Sequence, residues 1–139
     1  MASPVEIKLI LCDAAVADPH GKVHMLGAGW SVMGTPTGPH AVVVLAKVPW
    51  DRANQKLKLS LELVDQDGTP VQVPRPEDEP LKVGQEAELE VGRPPGIAPG
   101  SMLNAAFTVS LPALPLAPGR YTWNLNLADA HDSETFTVR

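Results

Sequence analysis

Residues 120–127 read RYTWNLNL, a strict alternation of polar and apolar side chains. Because successive side chains of a β-strand point to opposite faces of a sheet, Tyr121, Trp123, Leu125 and Leu127 share one face and the polar residues share the other. A strand with one apolar and one polar face is typical of an antiparallel sheet that covers a core on one side. The segment therefore predicts a half-buried strand.

The same alternation recurs elsewhere and predicts an all-β chain. Residues 56–63 read KLKLSLEL, residues 86–91 read EAELEV, and residues 104–111 read NAAFTVSL. Residues 41–48, AVVVLAKV, are nearly all apolar, which favours a strand covered on both faces. With the shorter runs near both termini, the pattern predicts an immunoglobulin-like antiparallel β-sandwich of about eight or nine strands.

Turn residues predict a hairpin near the start of the chain. Val5–Cys12 forms the first strand, Asp18–Gly21 (DPHG) forms the turn, and residues 22 to about 33 form the returning strand. Gly27 and Gly29 weaken that returning strand and indicate a bulge or a close approach of another backbone.

Three further connections are predicted from proline and glycine. Residues 65–68, DQDG, form a second hairpin turn that leads into a partner strand at residues 69–73. Residues 49–54 form one helical turn, because proline suits the first helical position. Residues 112–119 are too long for a tight hairpin and are expected to cross between sheets. Tyr121 then stands where immunoglobulin-like folds place a tyrosine that bonds to upstream backbone.

Length and composition indicate one ordered domain over residues 1–139. Hydrophobic residues make up 44% of the chain, which is enough for a core, and the fifteen prolines are spread between the alternating runs. The net charge of −5 and the dispersed basic residues argue against nucleic-acid binding. No apolar run approaches the roughly 20 residues that span a bilayer, so no membrane association is expected. A single cysteine, Cys12, favours a cytoplasmic protein.

Three segments resemble a family of small bacterial β-sandwich proteins known as domains of unknown function. They are residues 22–30 (KVHMLGAGW), residues 48–51 (VPWD) and residues 61–71 (LELVDQDGTPV). The resemblance covers most of the chain and implies a single sandwich domain. It implies no activity, because its motifs are a strand, a turn and a hairpin.

Motifs that would indicate an enzyme or a cofactor are incomplete. Val32 stands where a dinucleotide-binding loop that begins at Gly27 needs its third glycine. The DQDG turn lacks the glutamate that a calcium loop needs. The four histidines are not paired at ligand spacing, and nothing visible activates Cys12. We therefore expect a protein that is not an enzyme, with no catalytic residue, no cofactor and no metal site.

The residues that best suit a contact with a partner lie in connections. Trp50, Asp51 and Arg52 follow a strand, and tryptophan is a frequent anchor of interfaces. Trp50 could equally fold back over the end of the sandwich. Trp30 and His40 are the remaining candidates, because they flank a loop next to the glycine break.

These observations predict a non-catalytic protein-interaction or adaptor module whose protein partner is unknown. One alternative is a small-molecule binding protein or an enzyme with a pocket between the sheets near Trp30. Another is a subunit of a symmetric homo-oligomer, in which edge strands such as Val5–Cys12 pair between copies.

Overall fold

A computed structural model describes residues 4–139 and has an all-β architecture with twelve strands in four sheets. The strands are β1 (Glu6–Cys12), β2 (Ala14–Ala17), β3 (Val23–Leu26), β4 (Val32–Met33), β5 (His40–Pro49), β6 (Leu57–Asp65), β7 (Gln72–Val73), β8 (Leu81–Lys82), β9 (Gly84–Leu89), β10 (Met102–Leu111), β11 (Gly119–Leu127) and β12 (Ala130–Val138). One short 3-10 turn, Trp50–Arg52, confirms the helical turn predicted there. None of the described residues forms a helix long and apolar enough to cross a bilayer.

Two large sheets enclose the main core. The three-stranded sheet has the order β1-β5-β10, and the five-stranded sheet has the order β4-β12-β11-β6-β9. All neighbouring strands in them are antiparallel except β4 and β12, which are parallel. The alternating apolar residues of both sheets meet in one cluster, as their spacing predicts. Its largest fully buried members are Trp123, Phe136, Leu9, Leu63, Leu125 and Leu127.

Strand β5 is buried on both faces over most of its length, which confirms the prediction from its apolar run. Val42 and Val44 lie in the main core. Ala41 and Val43 point the other way and form a second cluster with Cys12. The β2–β3 hairpin covers this second cluster, so the small sheet acts as a lid on the outer face of the three-stranded sheet.

The predicted count of eight or nine strands is wrong, because residues 4–139 alone form twelve. Strands β4, β7 and β8 have only two residues each, too few for an alternation to be visible in the sequence. The predicted partner strand at residues 69–73 pairs with β6 only in its first half. Pro70 bridges to Val64, and the N–H of Val71 donates to the carbonyl oxygen of Leu63 at 2.9 Å. Residues 72–73 form β7, which pairs with β8 instead.

The returning strand predicted at residues 22–33 is interrupted. The turn at Asp18–Gly21 is present, but it joins β2 to β3, and β3 ends at Leu26. Gly27 follows with a φ of +66°, and a Cβ there would overlap the side-chain carboxylate of Asp13. The group that fills the space beside this glycine is thus a side chain rather than the second backbone that was predicted, and β3 ends just before it.

The crossover at residues 112–119 behaves as predicted. It leaves β10 in one sheet and enters β11 in the other. Tyr121 is nearly buried, and its hydroxyl donates a hydrogen bond of 2.7 Å to the carbonyl oxygen of Ala117. The predicted tie between this tyrosine and upstream backbone is confirmed.

Candidate functional site

The predicted contact residues Trp50, Asp51 and Arg52 lie together in the 3-10 turn after β5. Trp50 is half-buried, and the guanidinium of Arg93 lies 3.6 Å from the centre of its ring. Arg93 also donates two hydrogen bonds to the Trp50 carbonyl oxygen, at 3.1 and 2.9 Å. Arg93 therefore covers part of the ring that a partner would contact.

Arg52 is engaged by an ion pair with Asp129. The hydrogen bond from the Arg52 guanidinium lowers the pKa of the Asp129 carboxyl below its usual value. Asp51 is exposed, and its carbonyl oxygen accepts a hydrogen bond from Gln55. Of the three residues in this turn, Asp51 thus has the most accessible side chain.

Trp30 and His40 contact each other, with His40 inside the protein and Trp30 partly buried at the margin of the main core. His40 is only 2% exposed, so its side chain is not accessible to a partner protein. Its Nε2 accepts a hydrogen bond of 3.3 Å from Nε1 of Trp123, and its ring centre lies 5.8 Å from that of Trp30. Phe136 packs against both rings. Aromatic side chains therefore occupy the region near Trp30 where a ligand pocket was one of the alternatives.

Polar clusters with catalytic or metal-binding potential are sparse. No group of three or more His, Cys, Asp or Glu residues able to hold a metal occurs among residues 4–139. His24 hydrogen-bonds to Asp18 at 2.9 Å rather than to Cys12. Cys12 is fully buried, and this burial raises the pKa of its thiol. The geometry therefore brings together no thiolate and base.

The edges of the two large sheets differ in how well their backbone groups are protected. An edge strand offers backbone N–H and C=O groups to an added strand unless something blocks them. At β1, the outward N–H of Leu9 donates to Asp132 Oδ2 at 2.8 Å, and the carbonyl of Leu11 accepts from Gly29 at 3.4 Å. This edge, proposed above for pairing between copies, is therefore partly occupied by the chain itself.

The β9 edge is protected by charge. The carbonyl oxygen of Lys58 accepts a hydrogen bond from the N–H of Ala128, which follows β11. In β6 the backbone groups of even-numbered residues therefore point towards β11, and those of odd-numbered residues point towards β9. By the same alternation, the free backbone groups of β9 belong to Glu86 and Glu88. Both carboxylates are exposed, and charged side chains on an edge disfavour strand addition.

The β10 edge has neither form of protection. The backbone groups of Leu9 and Leu11 point away from β5, so the even-numbered residues of β1 bond to the odd-numbered residues of β5. The even-numbered residues of β5 therefore bond to the odd-numbered residues of β10. The backbone groups of the even-numbered residues of β10 face outwards. The open N–H and C=O groups thus belong to Asn104, Ala106, Thr108 and Ser110. No described residue hydrogen-bonds to them, and β10 carries no charge over its ten residues.

An apolar groove lies beside this open edge. It has a volume of about 190 Å³ and runs between β9 and β10, with Leu59 and Leu61 at its base and Ala87 and Phe107 on its two sides. Because the two strands belong to different sheets and do not pair, the main core is incompletely covered here. We call this region, made of the β10 edge and the groove, the open side.

The sequence contains one signal that points to the open side. Residues 102–111 contain no charged residue, although 19% of the whole chain is charged, whereas residues 86–91 contain three glutamates. That contrast alone does not show which strands lie at edges. Comparison with protein-family models finds no match to the chain, and comparison with curated proteins finds none either. The resemblance to a bacterial family therefore stays a prediction.

Proposed function

We propose that this chain is an immunoglobulin-like β-sandwich that acts as a non-catalytic protein-interaction module and holds an extended segment of a partner protein along β10. The observation that carries the proposal is the unprotected, uncharged edge of ten residues next to an apolar groove. The Tyr121 corner and the crossover between the sheets support the immunoglobulin-like assignment. A single buried thiol suits the reducing cytoplasm, where such a module would work.

The expected mode of binding is strand addition. The partner's backbone pairs with the free groups of Asn104, Ala106, Thr108 and Ser110, which supplies affinity without requiring a fixed sequence. Alternate side chains of the partner then point into the groove over Leu59 and Leu61, where apolar residues fit best.

The charge of β9 restricts which side chains the partner segment can carry. The added strand lies between β10 and the glutamates of β9, which are exposed and without an ion pair among the described residues. Like charges facing each other across strands are destabilising, so acidic side chains are disfavoured at this position. We therefore expect an extended segment with alternating apolar residues and with neutral or basic residues between them.

The experiment compares two substitutions at one position. Thr108→Pro removes an outward N–H that the fold does not use, so it blocks an added strand while the β5 ladder keeps its hydrogen bonds. Thr108→Val has a similar side-chain volume and keeps the N–H. Proteins captured from the native host by each variant are quantified by mass spectrometry, and a captured partner is then produced and titrated directly.

Loss of the partner with Thr108→Pro and retention with Thr108→Val would support strand addition. In the complex, hydrogen exchange should slow at the amides of Asn104, Ala106, Thr108 and Ser110. Equal binding by the two variants, both verified as folded by circular dichroism, would refute the proposed site. So would protection of amides confined to the Trp50–Arg52 turn.

A further inference from the structure

A second groove lies on the outer face of the three-stranded sheet, away from the open side groove. Its volume is about 450 Å³, within the range of roughly 300–1,000 Å³ that is usual for sites of small ligands. Leu45 and Ala106 form part of its base, and Gly21 of the β2–β3 turn closes one end. The polar side chains around it are Glu6, Lys8, Lys47 and Asn104. We call it the outer groove.

The outer groove exists because the hairpin covers only part of the sheet. On this face β5 presents Ala41, Val43, Leu45 and Lys47 in order along the strand. The hairpin packs on the first two, which are fully buried, and leaves Leu45 37% exposed. Leu45 lies between Lys8 of β1 and Ala106 of β10 in the register, so an apolar strip continues past the end of the hairpin.

The charged groups around this strip have a net positive charge. Neither Lys8 nor Lys47 belongs to an ion pair within residues 4–139, although Glu6 lies opposite Lys47 in the register. The side chain of Asn104, opposite Lys47 on the other side, makes no hydrogen bond to any described residue. Two ammonium groups, one carboxylate and a free amide therefore surround an apolar base, and the groove carries a net positive charge.

We propose that the outer groove binds a small amphipathic carboxylate, with its apolar body on Leu45 and Ala106 and its carboxylate held by Lys8, Lys47 and Asn104. Charge-assisted hydrogen bonds to the two ammonium groups would fix the carboxylate, and burial of the aliphatic body would supply the remaining affinity. This site goes beyond the proposed interaction with a protein, because it uses side chains on the sheet face rather than the free backbone groups of β10.

The probe is octanoate, titrated into the ¹⁵N-labelled protein while amide shifts are followed by NMR. We expect saturable shifts at Lys8, Leu45, Lys47 and Ala106. Octylammonium, which has the same chain and the opposite charge, should not produce them. Saturation by octanoate but not by octylammonium would support a site that selects the anion.

Paired variants test the role of the lysines. Lys8→Gln with Lys47→Gln should weaken octanoate binding by roughly tenfold or more, since the loss of even one charge-assisted hydrogen bond accounts for about that factor. Lys56→Gln with Lys58→Gln changes the net charge equally at exposed positions outside the groove and should leave binding unchanged.

Three results would overturn the inference. They are an absence of saturable shifts into the millimolar range, equal binding of octylammonium, or equal weakening by both pairs of lysine variants. The Thr108→Pro variant keeps all five side chains of the proposed site, so it should bind octanoate even if it loses a protein partner. The two proposals can therefore fail separately.

Discussion

The hydroxyl of Tyr121 connects the crossover to the first strand after it, and its removal measures what that tie contributes. Tyr121→Phe keeps the stacked ring of Phe136, whose centre lies 5.8 Å away, but leaves the carbonyl of Ala117 without its donor. We expect the free energy of unfolding to fall by about 1 kcal/mol, measured by urea denaturation. Thr122→Val removes a more exposed hydroxyl that pairs with Thr135 and should cost less. Equal effects would contradict a specific role for the corner.

His40 should make stability depend on pH. Burial lowers the pKa of its ring below the ordinary value of about 6.5, and the Gly38 backbone only partly opposes this shift. Above a pH of about 6.5 the imidazole of His40 is mostly neutral in both the folded and the unfolded protein. As the pH falls below it, the unfolded chain takes up a proton that the folded protein resists, so the free energy of unfolding decreases.

The comparison is between the wild-type protein and His40→Gln, unfolded at several values between about pH 7.5 and about pH 5. The wild-type protein should lose more stability over this interval, so the difference between the two should narrow in acid. The carboxyls of Asp18 and Asp129 also have lowered pKa values, but their contribution is lost only as the pH falls through the lower range of carboxylates. A constant difference across the interval would show that His40 does not titrate on unfolding.

At the scale of elements, the β2–β3 hairpin acts as a cover over Cys12. Met25 packs against the cluster of Cys12, Ala41 and Val43, whereas Leu26 on the opposite face of β3 is 74% exposed. Met25→Lys should loosen the hairpin and speed the reaction of the thiol with a disulfide reagent, because the thiol is otherwise shielded from solvent. Leu26→Lys places the same charge on the outer face and should leave the rate near that of the wild type.

Thermal unfolding of both lysine variants provides the necessary control. The two large sheets do not depend on β3, so the main transition of Met25→Lys should persist while the thiol reacts faster. Rates that rise equally in both variants would mean that the hairpin does not shield the cysteine selectively.

The long strands were predictable from the sequence because alternation over eight or more residues is hard to produce by any other structure. The bounds of β10 and β11 agree closely with the segments that predicted them. The two-residue strands contain no period, and only tertiary contacts create them. Burial of His40 could not be predicted either, since the histidine follows a loop and is buried only when Trp30, Trp123 and Phe136 surround it.

The open side depends on the order of strands, which no local pattern specifies. Residues 86–91 and 104–111 both alternate, and each would suit the centre of a sheet as well as an edge. Only the arrangement β1-β5-β10 beside β4-β12-β11-β6-β9 makes them edges on the same side. In that arrangement the glutamates of β9 protect one edge, whereas the neutral residues of β10 leave the other edge open to an added strand.

Across the whole molecule, the edges of the two large sheets differ in how well they resist pairing with a second copy of the chain. Asp132 and Gly29 occupy part of the β1 edge, and Glu86 and Glu88 charge the β9 edge. Replacing both glutamates by threonine removes that repulsion and installs good strand formers next to the neutral β10. We expect the double variant Glu86→Thr with Glu88→Thr to self-associate more strongly than the wild-type protein at the same concentration, as measured by sedimentation velocity.

The matched control is Glu77→Thr with Glu79→Thr, which changes the net charge equally at exposed positions outside every strand. If lower overall charge were sufficient for association, both pairs would sediment faster to the same degree. If edge protection is the cause, only the β9 pair should do so, and adding Thr108→Pro should reverse part of the effect by blocking β10 as the receiving strand. Reversal would link the two edges of the open side in one interface, whereas no reversal would place the association at β9 alone.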